Sequence, residues 1–382
     1  MKILLTGARA PATLELARSF YEAGHVVYAA DSISGHLCES SRYIHANFLL
    51  PPPRQQSAEF ISKLRAVILE NGIDLLVPTC EETFYVSMGR DQLPCRVFVE
   101  SIEKLKLAHD KWEFYLLSRK LGLAVPETQR VSTPGRLADL GSKWSGLVLK
   151  PLYSRFGSAT MIRPTLLEAA GALRADPDRA WIAQEFIPGQ QICSYSVAHS
   201  GRLSAHTAYR STFTAGVGAT ILFKHIEHPP VQLWVEKLVR ELDWTGQIAF
   251  DFIERGNGEV VALECNPRAT SGVHVFSGDP RFAACFLSAG AGRATPRQRK
   301  PAMLLTGMLI YGLPAALRSR RLAEWVRAIL GGRDVVFRSD DPLPFLLQIR
   351  GILLFTILGL KRRISPLAAS TFDIEWNGAE RA

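Results

Sequence analysis

One short segment, residues 247–268, constrains the fold of this 382-residue chain more than any other. It contains an Asn257-Gly258 pair between two runs in which apolar and polar residues alternate. Asn-Gly is the favoured pair for a two-residue type I′ hairpin loop. Counted outward from such a loop, Asp251 lies directly opposite Glu264 on the neighbouring strand. The segment therefore predicts an antiparallel hairpin with two opposed carboxylates.

The two faces of this hairpin differ in chemistry. Successive side chains of a strand alternate between faces, so Asn266 and Arg268 share the face of Asp251 and Glu264. The other face is apolar and is predicted to join the core. Its residues are Ile248, Phe250, Phe252, Val261 and Leu263.

The opposed carboxylates indicate a cation site. Facing side chains have Cβ atoms about 5 Å apart, and like charges at that spacing are unfavourable unless a cation lies between them. Oxygen ligands from Asp251, Glu264 and Asn266 suit Mg²⁺, which usually shares its coordination shell with phosphates and water. Arg268 is placed to neutralise charge on a transferred phosphoryl group. The alternative is an amphipathic hairpin whose acidic face is only solvated.

Residues 1–107 show short apolar runs separated by helical segments, which predicts a Rossmann-like parallel sheet with both faces covered. The turn after the first strand has a single glycine, Gly7, where a dinucleotide fingerprint has three. The missing glycines would be needed for backbone approach to a pyrophosphate. NAD binding is therefore disfavoured, and Asp31 is predicted to be a strand-end residue rather than a ribose ligand.

Residues 108–290 change to a mixture of helices and antiparallel strands, which predicts an α+β domain after the α/β one. This domain and its hairpin resemble the ATP-grasp superfamily, and within it the carbamoyl-phosphate-synthase-like carboxylate–amine ligases. The resemblance covers roughly residues 1–290. It implies an N-terminal Rossmann-like parallel-sheet domain followed by a two-lobed ATP-grasp domain, with a helical C-terminal segment at 291–382.

The resemblance also implies how ATP is bound. Lys111 and Lys150 match the two lysines that contact ATP phosphates in the family, and residues 154–160 match the loop that covers them. The adenine-binding hinge resembles residues 184–189. Two further sets of roles are implied there: adenine recognition through Gln184, Glu185 and Ile187, and ribose binding by Gln191.

The chemistry implied by the resemblance is carboxylate activation. A substrate carboxylate attacks the γ-phosphate of ATP to give an acyl phosphate, which an amine or, less often, a thiol then attacks. Asp251, Glu264 and Asn266 would hold one or two Mg²⁺ ions, with Mn²⁺ as an alternative. Arg268 would act on the transferring group. The sequence identifies neither the acid nor the amine.

Two more residues are candidates for substrate contact. Arg210 is predicted to end a strand that faces the site and to bind the substrate carboxylate, or else to form a structural ion pair. Glu81 follows a strand at the edge where α/β sheets bind ligands, and is a candidate for the second substrate. The alternative for Glu81 is a role at the N-terminus of the next helix.

Two other functions remain as alternatives. Gln184 and Gln191 stand where many relatives have acids, which leaves open a nucleotide-binding protein without turnover. A nicotinamide-dependent oxidoreductase that uses the N-terminal sheet is the weaker alternative, because the glycines are missing.

The C-terminal segment contains a basic helix near 313–330 and an apolar run near 344–360. A buried helix that closes the fold is the first interpretation of the apolar run. Peripheral contact with anionic lipid through residues 314–363 is the second. Residues 370–378 alternate like a strand that pairs with the main body.

The composition mainly argues against certain kinds of site and partner. The six cysteines form no C-x-x-C pair, which argues against a zinc site and a disulfide framework and favours a reducing cytoplasm. The net charge of +9 suits anionic ligands or a lipid surface, but no nucleic-acid module is recognisable, so no nucleic-acid partner is expected. The oligomeric state does not follow from the sequence.

Overall fold

The computed structural model describes residues 1–143, 146–154, 157, 159–176, 179–216, 218–290, 292–296 and 300–378. Three sheets organise these residues, and helices cover them. Within the loop of residues 154–160, Arg155, Phe156 and Ser158 lie outside the described residues, so the predicted phosphate loop is only partly described.

The first sheet is parallel and belongs to the N-terminal part of the chain. Its strands are β1 (Lys2–Thr6), β2 (Val26–Asp31), β3 (Ala46–Leu49), β4 (Leu75–Val77) and β5 (Arg96–Val97). They lie in the order β3-β2-β1-β4-β5, so the strand order reverses between β1 and β4. The accompanying helices are α1 (Pro11–Glu22), α2 (Ser57–Asn71), α3 (Glu82–Met88) and α4 (Ile102–His109). The central strands are apolar and buried on both faces, as covered parallel sheets require. The predicted Rossmann-like sheet is confirmed.

A small antiparallel sheet follows. Its strands are β6 (Thr128–Val131), β7 (Leu147–Pro151), β8 (Met161–Ile162) and β9 (Trp181–Glu185), in the order β6-β9-β7-β8. Three helices accompany it: α5 (Lys111–Lys120), α6 (Pro134–Lys143) and α7 (Leu166–Ala175). In the antiparallel pair β7 and β9, Gln184 lies opposite Val148, two residues from Lys150. Side chains two apart share a face, so Lys150 and Gln184 lie on the same face of this sheet.

The largest sheet has seven strands and carries the hairpin. Its strands are β10 (Gln190–His199), β11 (Arg202–Ala215), β12 (Ala219–Ile226), β13 (Gly246–Glu254), β14 (Val260–Asn266), β15 (Ala302–Met303) and β16 (Arg333–Asp334). They lie in the order β14-β13-β10-β11-β12-β15-β16. Helix α8 (Pro229–Glu241) buries Trp234 against Phe250 and Phe252 on one face, and the other face forms a second apolar core around Tyr195 and Phe276. The α/β and α+β fold class is confirmed.

The hairpin loop differs from the prediction. Gly258 N–H donates to Arg255 O, and Gly258 has φ 83°, whereas Gly256 and Asn257 are not at positive φ. A type I′ turn needs positive φ at both central residues, so the turn here is a three-residue loop with glycine in the left-handed position. The longer loop shifts the register by one residue and pairs Glu254 with Val260.

A bulge at Leu263 shifts the register back. Phe252 pairs with Ala262, whereas Asp251 pairs with Glu264, which leaves Leu263 as the extra residue. The predicted opposition of the two carboxylates is therefore correct although the predicted loop is wrong. The predicted core face is also wrong in part: Leu263 is only half-buried, and Ala262 packs in the core with Phe252 instead.

The C-terminal segment is helical but is not buried as first predicted. Helix α9 (Leu305–Gly307), a π-helical turn (Met308–Gly312) and α10 (Leu313–Arg318) follow one another, and α11 (Leu322–Gly331), α12 (Leu343–Arg362) and α13 (Pro366–Ala369) come after them. In α12 only Pro344 and Gly359 are buried. Among the described residues, α12 is the one helix whose length and apolar composition would suffice to cross a membrane.

The last residues pack against the N-terminal sheet without forming the predicted strand. Arg9 forms ion pairs with both Asp31 at the end of β2 and Asp373 near the chain end. The ring of Trp376 stacks on Phe84 with centroids 4.7 Å apart. Asp31 is thus the strand-end residue that the sequence predicted, and its carboxylate is engaged by Arg9.

Candidate active site

The face of the hairpin that carries the carboxylates is the centre of the candidate site. Asp251 and Glu264 face each other across β13 and β14, and Asn266 Nδ2 donates to Asp251 Oδ2 at 3.3 Å. Two buried lysines approach the same carboxylates: Lys111 Nζ lies 3.8 Å and Lys150 Nζ 4.0 Å from Glu264 Oε2. Five of the predicted site residues therefore converge from three separate parts of the chain.

Local backbone features position the two lysines. Lys111 is the first residue of α5, whose N-terminus is capped by the side chain of Asp110, and its Nζ donates to Leu152 O at 3.3 Å. Lys150 Nζ donates to Leu263 O at 3.4 Å. Leu263 is the bulged residue, so the bulge both restores the register and contributes a carbonyl contact to Lys150.

The carboxylates differ in their protonation. Burial and the neighbouring Glu264 raise the pKa of Asp251 to about 7. Burial also acts to raise the pKa of Glu264, but the ammonium groups of Lys111 and Lys150 outweigh it and hold that pKa below its usual value. Burial lowers the pKa of Lys150 to about 8 against the opposing pull of Glu264. At neutral pH Glu264 is therefore ionised, whereas Asp251 carries a proton for part of the time.

A divalent cation fits the donor set of this site. No cluster of three or more His, Cys, Asp or Glu side chains suited to a metal occurs in the part of the chain that the structure describes. Here the donors are two carboxylates and one amide, which is the oxygen-rich and incomplete set that suits Mg²⁺ when phosphates and water complete its shell. A bound cation would also remove the repulsion that keeps a proton on Asp251.

Arg268 lies beside the carboxylates but is not free of contacts. Its Nη1 donates to Ala269 O at 3.1 Å, and its Nε lies 3.6 Å from Glu81 Oε1. Glu81 is buried, and its Oε2 accepts from the backbone N–H of Trp376 at 3.4 Å. Glu81 thus contacts the site through Arg268. It also directly precedes α3, which agrees with the alternative of a role at the N-terminus of that helix.

The predicted adenine hinge lies between β9 and β10. Gln184 is buried and its Nε2 donates to Thr128 Oγ1 at 3.2 Å, and Ile187 is buried nearby. The backbone N–H of Glu185 donates to Glu127 O at 2.8 Å, so it is not available to a base edge. Other groups of the hinge would have to make that contact.

Gln191 lies on the side of its strand that faces the hairpin carboxylates. It is two residues from Cys193, which pairs with Asp251 in the neighbouring strand β13. Side chains two apart share a face, so Gln191 and Asp251 lie on the same side of the sheet. This position is compatible with the predicted contact to a ribose.

Arg210 lies away from this site. It is exposed and occupies the middle of the 14-residue strand β11, not a strand end. Its neighbour Tyr209 faces the cavity beside Asp251 and Arg268, so Arg210 points to the opposite face. The prediction failed because the strand continues five residues beyond Arg210, and we do not retain a substrate role for it.

Some contributors to the site were not predicted. Cys193 and Tyr209 line the cavity beside the carboxylates. The alternation of side chains along β10 and β11 is the sequence signal from which they could have been found. The C-terminal segment lines the same cavity through residues such as Ile352 and Phe355. Nothing local in the sequence indicated that contact, because it joins residues about a hundred positions apart.

Comparison with known proteins identifies the domain. A family model described as an ATP-grasp domain matches residues 108–272. These residues form an ATP-grasp domain. The resemblance on which the ATP-site assignments rest is thereby confirmed, and the domain includes all of the hairpin. A comparison with curated proteins gave no match.

Solved structures share the architecture well beyond this domain. N5-carboxyaminoimidazole synthetase from Staphylococcus aureus superposes with a TM-score of 0.60 at 11% identity, covering 78% of this chain and 80% of that one. The biotin carboxylase domain of 2-oxoglutarate carboxylase from Hydrogenobacter thermophilus, solved with MgADP, ADP and bicarbonate, gives 0.61 at 12%, covering 78% and 73%. L-amino acid ligase from Bacillus licheniformis gives 0.56 at 13%, covering 72% and 69%. At these identities the likeness establishes the fold.

The pKa of Asp251 leads to a testable pH dependence. Below about pH 7 this carboxyl carries a proton in the metal-free protein, and a metal ion must displace it. The apparent affinity for Mn²⁺ is expected to rise roughly tenfold per pH unit between about pH 5 and 7 and to level off above. Titration of nucleotide-free protein with Mn²⁺, followed by the electron paramagnetic resonance of the free ion, measures this. Asp251→Asn supplies the background from other carboxylates, and a flat profile above that background would contradict the assignment.

Proposed function

We propose that the protein is an ATP- and Mg²⁺-dependent ligase that activates a substrate carboxylate as an acyl phosphate for attack by an amine. The observation that carries this proposal is the convergence of Lys111 and Lys150 on the opposed pair Asp251 and Glu264. A merely solvated acidic face would not require two buried lysines. The ATP-grasp domain that contains the hairpin supports the same chemistry.

ATP would lie between the small sheet and the hairpin. Lys111 and Lys150 would contact its phosphates, and Gln184, Ile187 and Gln191 would surround its nucleoside. Mg²⁺, held by Asp251, Glu264 and Asn266, would supply charge neutralisation between phosphate oxygens when bound. A second ion or Mn²⁺ would use the same oxygen donors.

The residues of the chain then have distinct roles in the reaction. An oxygen of the substrate carboxylate forms a bond to the γ-phosphorus, the bond from that phosphorus to the β-phosphate oxygen breaks, and ADP leaves. Such a transfer depends on positioning and charge neutralisation more than on a covalent protein nucleophile. Arg268 lies beside the carboxylates, where it can neutralise charge on the transferring group, and Glu81 orients Arg268.

The second step joins the amine. Its nitrogen bonds to the acyl carbon, phosphate leaves with the oxygen that it had bonded, and the nitrogen loses a proton to solvent or phosphate. A thiol acceptor would follow the same course. The ligases among the structural neighbours support this reaction class. The domain boundaries after residues 107 and 290 remain predictions.

The alternative functions are less well supported. A nucleotide-binding protein without turnover rests on Gln184 and Gln191, but the full set of predicted metal and phosphate ligands converges around Asp251. A nicotinamide-dependent oxidoreductase would need Asp31 for a ribose, and that carboxylate already binds Arg9 and lies beside Asp373.

The proposal is tested by Mg²⁺-dependent ADP release. A panel of carboxylic acids is supplied with ATP and with hydroxylamine, which traps an acyl phosphate as a hydroxamate. At least one acid is expected to give ADP and hydroxamate together. Glu264→Gln, which keeps the shape but removes a metal-binding charge, is expected to lower the rate roughly 100-fold or more.

A matched variant controls for the substitution itself. Glu259→Gln makes the same change in the exposed loop of the same hairpin, and the rate should stay at the wild-type value. Circular dichroism would show that both variants fold. If ATP binds but no acid elicits ADP, or if Glu264→Gln is as active as Glu259→Gln, the ligase proposal is wrong.

A further inference from the structure

A cavity of about 460 Å³ opens directly beside the hairpin carboxylates. Asp251, Glu264 and Arg268 form one part of its wall, and the C-terminal helices contribute another part. Its size is that of a typical small-molecule site. The proposed ATP contacts Lys111, Lys150, Gln184 and Ile187 are not part of its wall. Gly157 of the predicted phosphate loop is part of the wall, so the cavity adjoins the proposed nucleotide site on its phosphate side and extends beyond it.

These two parts of the cavity wall differ in charge. The acidic and basic side chains of its wall are Arg9, His36, Asp251, Glu264 and Arg268. Arg9 is engaged by two aspartates, and burial lowers the pKa of His36. Among the described residues, none that the chain beyond residue 300 contributes to the wall is charged. The apolar part is formed by Ile221, Leu304, Ile310, Ile352, Phe355 and Leu367.

We propose that the acid activated by this protein is an amphiphile, with a carboxylate at Arg268 and an extended apolar body against the C-terminal helices. This inference rests on the proposed function for the position of the carboxylate. The apolar wall supplies the rest: a short polar acid would leave Ile352 and Phe355 in contact with water. An aliphatic or aromatic body would displace that water with a favourable free energy.

The mouth of the cavity supports the same class of ligand. Ile310 and Tyr311 line the cavity and are also exposed at the surface. The apolar wall therefore continues outward without a polar rim at this point. A ligand with an apolar body longer than the cavity can extend past these residues.

Chain length tests this substrate class. Butyrate, hexanoate, octanoate and decanoate, each below its micellar range, are titrated calorimetrically against the protein with Mg²⁺ and ADP. Affinity is expected to rise roughly tenfold for every two methylenes that the cavity buries. Ile352→Asn should weaken decanoate binding roughly tenfold or more. Ile357→Asn, on the outward side of the same helix, should leave it unchanged.

The outcomes separate this inference from the ligase proposal. If decanoate binds no tighter than butyrate, or if glutamate binds tighter than both, the amphiphile assignment is wrong whatever the enzyme activity. If decanoate binds tightly and depends on Ile352, but no acid elicits ADP, the apolar site stands and the ligase proposal fails. Decanoate binding that Ile357→Asn weakens equally would also contradict the assignment.

The outward face of α12 supports a second, independent inference. Leu346, Ile349, Leu353, Ile357 and Leu360 are each half-exposed or more, and their spacing places them on one side of the helix. The opposite side carries Ile352 and Phe355 in the cavity wall. Up to Leu360 the other residues of α12 are apolar apart from Gln348, Arg350 and Thr356, and a helix with apolar residues on both sides normally lies in a core or in lipid. This one has its outward side uncovered.

A neighbouring helix extends the exposed apolar surface. Leu322, Val326 and Leu330 are exposed on one side of α11. Residues 305–331 and 343–363 together contain eight basic residues and only one acid, Glu324. The exposed basic residues include Arg318, Arg320, Arg327, Lys361 and Arg363. Exposed aliphatic side chains flanked by basic ones match the surface of an anionic bilayer.

We infer that α11 and α12 lie on an anionic lipid surface with their exposed aliphatic side chains inserted. The inward side of α12 argues against a span, because that side lines the cavity and Gln348 Oε1 accepts from Thr306 Oγ1 at 3.1 Å. A spanning helix would have to give up these contacts. When α12 lies on the lipid surface, its inward side packs against the protein and its outward side contacts lipid.

Vesicle flotation of the full chain tests this inference. The protein is expected to float with phosphatidylcholine vesicles that contain about one-third phosphatidylglycerol, and less with pure phosphatidylcholine or at high salt. The outward double variant Leu353→Asn/Ile357→Asn should reduce the bound fraction roughly tenfold. The inward variant Ile352→Asn should bind like the wild type, since it introduces the same side chain directly before Leu353 but on the inward side of the helix.

Three results would overturn the lipid assignment. One is equal flotation of the inward and outward variants. Another is that the wild-type protein does not bind vesicles but sediments as a dimer, and that the outward variant sediments as a monomer. A second copy of the chain would then cover this face. The third is bound protein that resists alkaline carbonate extraction, which would indicate a span.

Discussion

The opposition of Asp251 and Glu264 is the constraint on which the rest of the site depends. Two half-buried carboxylates on facing strand positions repel each other, and the buried ammonium groups of Lys111 and Lys150 lie close to Glu264 and offset this repulsion. Lys111 comes from the N-terminus of α5 and Lys150 from the end of β7 in the small sheet. Neutralisation of the hairpin carboxylates therefore requires the small sheet and the seven-stranded sheet to meet at this point. Burial and Glu264 still raise the pKa of Asp251 to about 7. A further cation beside this carboxylate would therefore favour its ionised form.

The C-terminal segment completes the molecule around this centre. Arg18 in the N-terminal sheet domain forms a buried ion pair with Asp341 at 3.0 Å and donates to the carbonyls of Val335 and Val336. Breaking such a pair by removing one partner costs about 3–5 kcal/mol, so this contact holds the segment firmly. Helix α12, which begins two residues after Asp341, is thereby fixed across the cavity. The segment is thus part of the proposed active site as well as the candidate membrane surface.

Sequence reasoning predicted the chemistry of the site better than its surroundings. The opposition of Asp251 to Glu264 was correct, yet it rests on two departures that cancel, a longer loop at Gly258 and a bulge at Leu263. Neither departure follows from local rules, because the bulge also serves Lys150 from another sheet. The prediction that Arg210 ends a strand facing the site was wrong because the length of a strand depends on its partner strand. The pairing of Glu81 with Arg268 and the exposure of α12 depend on contacts between distant parts of the chain, which alternation and composition do not encode.

The most direct test of the central claim is the position of the metal. Crystals of the protein grown with Mn²⁺ and a non-hydrolysable ATP analogue would give an anomalous difference map at the manganese edge. The structure predicts a peak about 2 Å from oxygens of both Asp251 and Glu264, bridged to phosphate oxygens that Lys111 or Lys150 contacts. A nucleotide bound with its metal away from this pair, or a peak that persists unchanged in Glu264→Gln crystals, would contradict the account.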